Sequence, residues 1–88
     1  MLDPTGQVVR AIAGREEGKV FCVVGQEGEY LLLCDGKNRR LAAPKRKKAM
    51  HTQLEVFDHP TLQKLTRQEP VTDKDIRRAL AAFRAKEV

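Results

Sequence analysis

Short apolar runs separated by glycine-containing polar segments dominate the first half of this chain. Runs of this length, rich in β-branched residues and bounded by turn residues, are typical of β-strands. The predicted strands cover residues 7–12, 20–24, 30–34 and 39–42, with a weaker fifth over 49–53. Strands at such short intervals predict a small barrel or sandwich. Because two of the runs are apolar on both faces, the pattern favours a closed barrel over an open sheet.

The second half of the chain changes to a helical pattern. Pro60 lies near the start of residues 58–65, which predicts a short helical turn that Pro70 stops. Thr72 predicts the N-cap of an amphipathic helix of about four turns. Apolar residues recur along one face of that helix, at Ile76, Ala79, Leu80 and Phe83. We expect this stripe to pack on the open end of the barrel; docking in a groove of a partner protein is the alternative.

Length and composition restrict the function. A chain of 88 residues holds one small core, and its longest apolar runs are far shorter than the roughly 20 residues of a membrane helix. Neither a signal peptide nor a membrane association is expected, so we predict a cytoplasmic protein. The chain has no serine, which excludes serine-triad catalysis. Cys22 and Cys34 lie inside apolar runs and are predicted to be buried, reduced thiols rather than a disulfide.

The charge is concentrated in one segment. The formal net charge is +5, but residues 36–54 carry seven positive side chains and no acidic one. The remaining ten basic and twelve acidic residues sum to −2, so a polyanion would be attracted to one place on the surface. With no metal-ligand spacing and no paired carboxylates, we expect neither an enzyme nor a cofactor, a metal or a small-molecule substrate.

The loop between the first two predicted strands carries a motif. Its Gly14-x-x-x-Gly18-Lys19 pattern, between an alternating strand and an apolar strand, resembles the KOW motif. Residues 5 to about 55 resemble bacterial KOW-domain RNA-binding proteins related to large-subunit ribosomal proteins of archaea and eukaryotes. This resemblance implies an SH3-like five-stranded barrel that binds structured RNA, usually ribosomal RNA. The loop departs from the family pattern at Glu16 and Glu17, where related loops are more basic.

The resemblance ends near residue 55 and divides the chain. The predicted organisation is mainly β: a KOW, SH3-like barrel over residues 1–55 with a basic segment at 37–48, then a helical extension over 56–88. Pro44 ends the predicted fourth strand, so residues 44–48 are interpreted as an extended basic arm. The aromatic residues lie mostly in apolar patterns, which favours a role in the core over base stacking.

These features predict an RNA-binding surface on one barrel edge. The reason is that closely spaced cations repel one another. A polyphosphate that binds them relieves this repulsion and releases its own counterions. The candidate RNA-binding residues are Arg15, Lys19, Lys37, Arg39, Arg40, Lys45, Arg46, Lys47, Lys48 and His51. No catalytic residue is assigned.

The leading hypothesis is a non-enzymatic, ribosome-associated protein of translation that binds ribosomal RNA of the large subunit and is monomeric when free. One alternative is an SH3-like protein-interaction module that contacts the transcription or translation machinery, as NusG-type KOW domains do. Another alternative is binding to double-stranded DNA through the same cations. The one sequence feature that favours RNA over DNA is the lack of a helix-turn-helix pattern in the chain.

Overall fold

The computed structural model describes residues 3–87, which form one five-stranded antiparallel sheet and two helices. The strands are β1 (Val8–Ala11), β2 (Val20–Glu27), β3 (Tyr30–Cys34), β4 (Lys45–Lys48) and β5 (Thr52–Glu55). The helices are α1 (Pro60–Thr66) and α2 (Asp73–Lys86), and a 3-10 turn (Ala49–His51) joins β4 to β5. The mainly β architecture with a C-terminal amphipathic helix is therefore confirmed. Met1, Leu2 and Val88, the ends of the predicted units 1–55 and 56–88, lie outside the described residues.

The strand order β4-β3-β2-β1-β5 forces the sheet to curl. β4 and β5 occupy opposite edges, which in a flat five-stranded sheet would lie roughly 19 Å apart. Only Ala49–His51 separates the two strands along the chain, and the four Cα steps across it span at most about 15 Å. The edges must therefore converge at this turn. Within residues 3–87 β4 and β5 are not paired, so the sheet is curled but not closed.

Both faces of the three central strands, β1, β2 and β3, are buried, because their residues alternate between two apolar clusters. On one face Val8 and its cross-strand partner Cys22 pack with residues of both helices, including Leu62, Ile76 and Leu80. The other face holds the second cluster, at Val9, Ala11, Phe21, Val23, Leu31 and Leu33. The prediction of strands apolar on both faces is confirmed.

Both helices begin at a side-chain cap, and the cap of α2 is Thr72, as predicted. His59 caps α1, its Nδ1 accepting a hydrogen bond from the Thr61 backbone N–H at 3.2 Å. Thr72 caps α2 in a reciprocal capping box with Asp75. The four residues of the predicted apolar stripe are buried, and three of them, Ile76, Leu80 and Phe83, pack in the cluster that contains Val8. α1 covers Pro60–Thr66 rather than residues 58–65, and the chain turns before Pro70, at Gln68, which has a φ of 61°.

The predicted fourth strand over residues 39–42 is wrong. Residues 35–44 form a loop instead, because the Asp35 carboxylate accepts the backbone N–H groups of Lys37, Asn38 and Arg39 at 2.8 to 2.9 Å. An aspartate that binds the following backbone closes a turn and competes with a strand ladder. The true fourth strand is Lys45–Lys48, so the interpretation of residues 44–48 as a free arm is also wrong.

The boundaries of three strands also differ from the prediction. β1 covers Val8–Ala11 rather than residues 7–12. β2 continues to Glu27 rather than ending at residue 24, because a register shift between Val23 and Gly25 bends the strand and lets its pairing with β3 continue. The fifth strand begins at Thr52, since Ala49–His51 forms the 3-10 turn.

The two cysteines are buried, free thiols, as predicted. Cys22 and Cys34 face each other across β2 and β3. Burial, and after it the neighbouring Cys34, raises the pKa of Cys22 to about 12. Burial, and after it the charges of Asp73 and Asp35, raises the pKa of Cys34 to about 11. No helix within residues 3–87 combines the length and apolar character needed to cross a bilayer.

Candidate nucleic-acid interface

Three separate chain segments meet around a cavity of about 320 Å³ beside the β1–β2 loop. The loop contributes Arg15, Glu16 and Lys19, the 35–44 loop contributes Asn38 and Arg39, and β4 contributes Lys45. We call this cavity and its lining residues the basic site. Four of the ten candidate RNA-binding residues lie here: Arg15, Lys19, Arg39 and Lys45. Together with Glu16 they give the basic site a formal charge of +3, from four positive side chains and one negative.

Glu16 holds two of these cations in place. Its Oε1 lies 3.1 Å from Nη2 of Arg39 and 3.9 Å from Nζ of Lys45, and its side chain is only 13% exposed. Because one carboxylate bridges cations from two segments that are distant in sequence, the positions of Arg39 and Lys45 are restrained before any ligand arrives. Glu16, at which the loop departs from the KOW pattern, therefore organises two cations of the basic site.

Backbone contacts fix the shape of the β1–β2 loop. Gly14 and Gly18 have φ of 83° and 89°, in the left-handed region that glycine adopts without penalty. Within the loop, Gly18 donates its N–H to the Ala11 carbonyl at 2.8 Å. Lys47 of β4 donates from Nζ to the Ala13 carbonyl at 2.9 Å. Lys47 therefore contacts the loop and supports it.

Alternation along β4 sends Arg46 and Lys48 to the opposite face from Lys45 and Lys47. There the Arg46 guanidinium lies 4.2 Å from the centroid of the Tyr30 ring. Acidic residues from the β2–β3 hairpin pair with both cations: Glu27 with Arg46 at 3.2 Å, and Glu29 with Lys48 at 3.8 Å. The basic segment contains no acid in sequence, but in space three glutamates contact it. Part of its charge is therefore already neutralised.

The remaining three candidate residues, Arg40, His51 and Lys37, also lie outside the lining of the basic site. Arg40 is exposed and donates from Nε to the Lys37 carbonyl at 3.2 Å. His51 is half-buried in the 3-10 turn, where its carbonyl accepts the Ile12 N–H. Lys37 is exposed and faces a second, larger cavity.

This second cavity, of about 650 Å³, lies between the start of β2, the 35–44 loop and α2. We call it the helix groove. Its charged lining residues are the cations Arg10, Lys19, Lys37, Arg77 and Arg84 and the acids Asp35 and Glu87. Sequence reasoning missed Arg10, Arg77 and Arg84, because its candidates came only from the KOW-like loop and from the positively charged residues 36–54. The spacing of Arg77 and Arg84 by seven residues places both on one helix face and was the available signal.

Among residues 3–87 no group of three His, Cys, Asp or Glu side chains is placed to hold a metal ion.

Comparison with known proteins assigns this chain to no family. No protein-family model and no curated protein matches this chain.

Proposed function

We propose that this protein is a non-enzymatic RNA-binding protein that binds structured RNA, of the ribosomal kind, through the basic site. One observation carries the proposal: four cations from three chain segments converge on one cavity, and a largely buried carboxylate restrains two of them. Cations held close together repel one another in the free protein. A polyphosphate relieves that repulsion and gains further free energy by releasing its own counterions.

The identities of the side chains also favour RNA phosphates. Arg15 and Arg39 carry planar guanidinium groups, which donate two parallel hydrogen bonds to a phosphate. Lys19 and Lys45 act as compact charges, and Asn38 adds an uncharged side chain that can both donate and accept hydrogen bonds. Such a lining suits the phosphates and 2′-hydroxyl groups of a folded RNA better than it suits unpaired bases.

The aromatic residues support the preference for structured RNA over single strands. Phe21 and Phe83 are buried, and Phe57 packs edge-on against Phe83 with the ring centroids 5.3 Å apart. The Tyr30 ring is covered by the guanidinium of Arg46. Base stacking needs an open aromatic face, and these four rings are occupied by contacts within the protein.

The SH3-like KOW barrel is part of this proposal. A curled five-stranded antiparallel sheet whose edges converge at a 3-10 turn is compatible with such a barrel. The KOW-like loop Gly14–Lys19 lies beside the basic site, and it contributes two of that site's cations, Arg15 and Lys19.

The basic site can be tested by neutralising two of its cations. The variant is Arg15→Gln/Lys45→Gln, and the matched control is Lys64→Gln/Arg78→Gln, which removes the same charge from exposed helix positions outside both cavities. The probe is ribosomal RNA purified from the host cell, titrated at several salt concentrations. We expect the site variant to bind on the order of tenfold more weakly than the control, with a log–log salt slope shallower by about 1.5.

Two results would contradict the proposal. One is equal RNA affinity of the site variant and the charge-matched control, because total charge alone would then explain binding. The other is a wild-type protein with no measurable affinity for the RNA at low salt.

A second candidate function is protein interaction. Exposed apolar side chains cluster near the β4–β5 turn and β5, at Met50 (73% exposed) and Leu54 (57% exposed). Leu54 also lines an apolar cavity of about 250 Å³ with Val9 and Leu31. Saturable binding to a purified protein of the translation machinery that survives high salt would favour this function, since apolar contacts are not screened.

A further inference from the structure

We infer that the helix groove is a second phosphate-binding surface, which continues the RNA interface from the basic site onto α2. This inference rests on the proposed function and deepens it. Nothing in the basic segment alone predicts it, because two of the cations concerned, Arg77 and Arg84, belong to the C-terminal helix.

The groove carries an excess of unpaired positive charge. Five cations and two acids give its lining a formal charge of +3. The Asp35 carboxylate keeps its charge, but its Oδ1 binds three backbone N–H groups rather than a cation. Glu87 pairs with Arg10. Within residues 3–87, Lys19, Lys37 and Arg84 form no ion pair. These three cations therefore remain available to an anionic ligand.

Contacts between the 35–44 loop and α2 hold the two walls of the groove together. Arg77 donates from Nη1 to the Gly36 carbonyl at 2.6 Å, and Asp73 accepts the Leu41 N–H at 2.8 Å. A Cβ at position 36 would lie 2.3 Å from the Asp73 carbonyl oxygen, so the backbones of loop and helix are in close contact. Lys37 on the loop is thereby held opposite the arginines of α2.

The dimensions and lining of the groove suit a chain of phosphates. Arg77 and Arg84 are seven residues apart, which places them about 10 Å apart along the helix axis. Cations spread over that length favour an extended polyanion over a single phosphate. Val20 is the one apolar residue of the lining and is 5% exposed, so the groove offers little surface to a base or another flat ring.

The helix groove and the basic site are neighbours. Lys19 and Asn38 line both cavities, so a ligand that leaves one cavity past these side chains enters the other. A phosphodiester backbone that crosses Lys19 would contact Arg15 and Lys45 on one side and Lys37 and Arg84 on the other. The ligand class is therefore the backbone of the same RNA.

The test neutralises the groove without touching its structural contacts. Lys37→Gln/Arg84→Gln changes two exposed side chains, for which the structure shows neither an ion pair nor a side-chain hydrogen bond within residues 3–87. It is compared with Lys64→Gln/Arg78→Gln and with Arg15→Gln/Lys45→Gln, by titration of the same purified ribosomal RNA. We expect the groove variant to bind on the order of tenfold more weakly than the control, with a salt slope shallower by about 1.5.

A second measurement needs no variant. Lysine acetylation of the wild-type protein, followed by mass spectrometry, should show Lys19 and Lys37 protected by RNA and Lys64 unprotected. The inference is overturned if the groove variant binds like the control while Arg15→Gln/Lys45→Gln binds weakly, or if Lys37 is acetylated equally fast with and without RNA; both results leave the proposed function intact. Absence of RNA binding by the wild-type protein overturns both proposals.

Discussion

The carboxylate of Asp73, the first residue of α2, accepts a hydrogen bond from the backbone N–H of Leu41 at 2.8 Å. This contact joins the C-terminal helix to the loop between β3 and β4, residues that are 32 positions apart. The same loop carries Lys37 and Arg39, one facing each cavity. The packing of α2 thus restrains the cations that we assign to RNA binding.

Replacing Asp73 should loosen this junction. Asp73→Ala leaves the Leu41 N–H without its acceptor and removes a negative charge from the positive end of the helix dipole. We expect a loss of about 1–2 kcal/mol in the free energy of unfolding, measured by urea denaturation. Glu17→Ala, at an exposed residue of the β1–β2 loop, is the control and should change stability little. Equal stability of the two variants would contradict the assigned role of Asp73.

A methyl group at position 36 should be costly. Gly36 has a φ of 80°, and an added Cβ would lie 2.3 Å from the Asp73 carbonyl oxygen and 2.9 Å from Cγ of Arg77. Gly28 also has a positive φ, but a Cβ there meets nothing within 4 Å. Gly28→Ala should cost about 1 kcal/mol from backbone strain alone, and Gly36→Ala should cost clearly more because the loop must move from α2. Equal melting temperatures would show that the loop and helix are not in close contact.

Glu16 should stabilise the basic site through charge. Glu16→Ala removes the carboxylate that bridges Arg39 and Lys45, so the remaining cations repel one another. We expect a loss of up to about 1 kcal/mol at low salt. Because salt screens charge repulsion between partly exposed groups, the loss should shrink in 1 M salt. Urea denaturation at the two salt concentrations, with Glu17→Ala as control, tests this; a loss independent of salt would point to packing instead.

The raised thiol pKa values predict the response to alkaline pH. Cys22 and Cys34 stay protonated in the folded protein until pH values near 12 and 11, whereas exposed thiols ionise near 9. The unfolded state therefore releases protons first as the pH rises. The stability that these thiols contribute is fully present below pH 9 and is lost as the pH rises toward 11–12.

Two measurements check the thiol prediction. At pH 8 a thiol-specific reagent should react with the folded protein far more slowly than with the urea-unfolded chain. In denaturation curves between pH 8 and 11, Cys22→Ala should weaken the pH dependence while lowering stability at every pH, because it leaves a cavity. Rapid labelling of the folded protein at pH 8 would be inconsistent with the burial of both thiols.

Sequence patterns predicted the elements that local interactions determine. Residues 30–34 form β3 with the predicted bounds, since five apolar residues between turn segments have few other stable arrangements. The face of α2 was predicted residue by residue, because helical periodicity and the Thr72 cap are both properties of neighbouring residues. The sequence analysis assigned Arg15, Lys19, Arg39 and Lys45 to one basic surface. It did not predict that these four side chains line a single cavity.

The tertiary structure alone decided what depends on distant partners. Lys45–Lys48 has no apolar pattern and becomes a strand because β3 supplies the ladder that its backbone needs. The glutamates that pair with the basic segment come from the β1–β2 loop, the end of β2 and the β2–β3 turn. The helix groove requires α2 to pack beside the 35–44 loop. Composition determined that this protein carries a concentrated positive charge, because charge is a sum over residues. Where that charge is neutralised and where it stays available depends on contacts between segments far apart in the chain, which only folding creates.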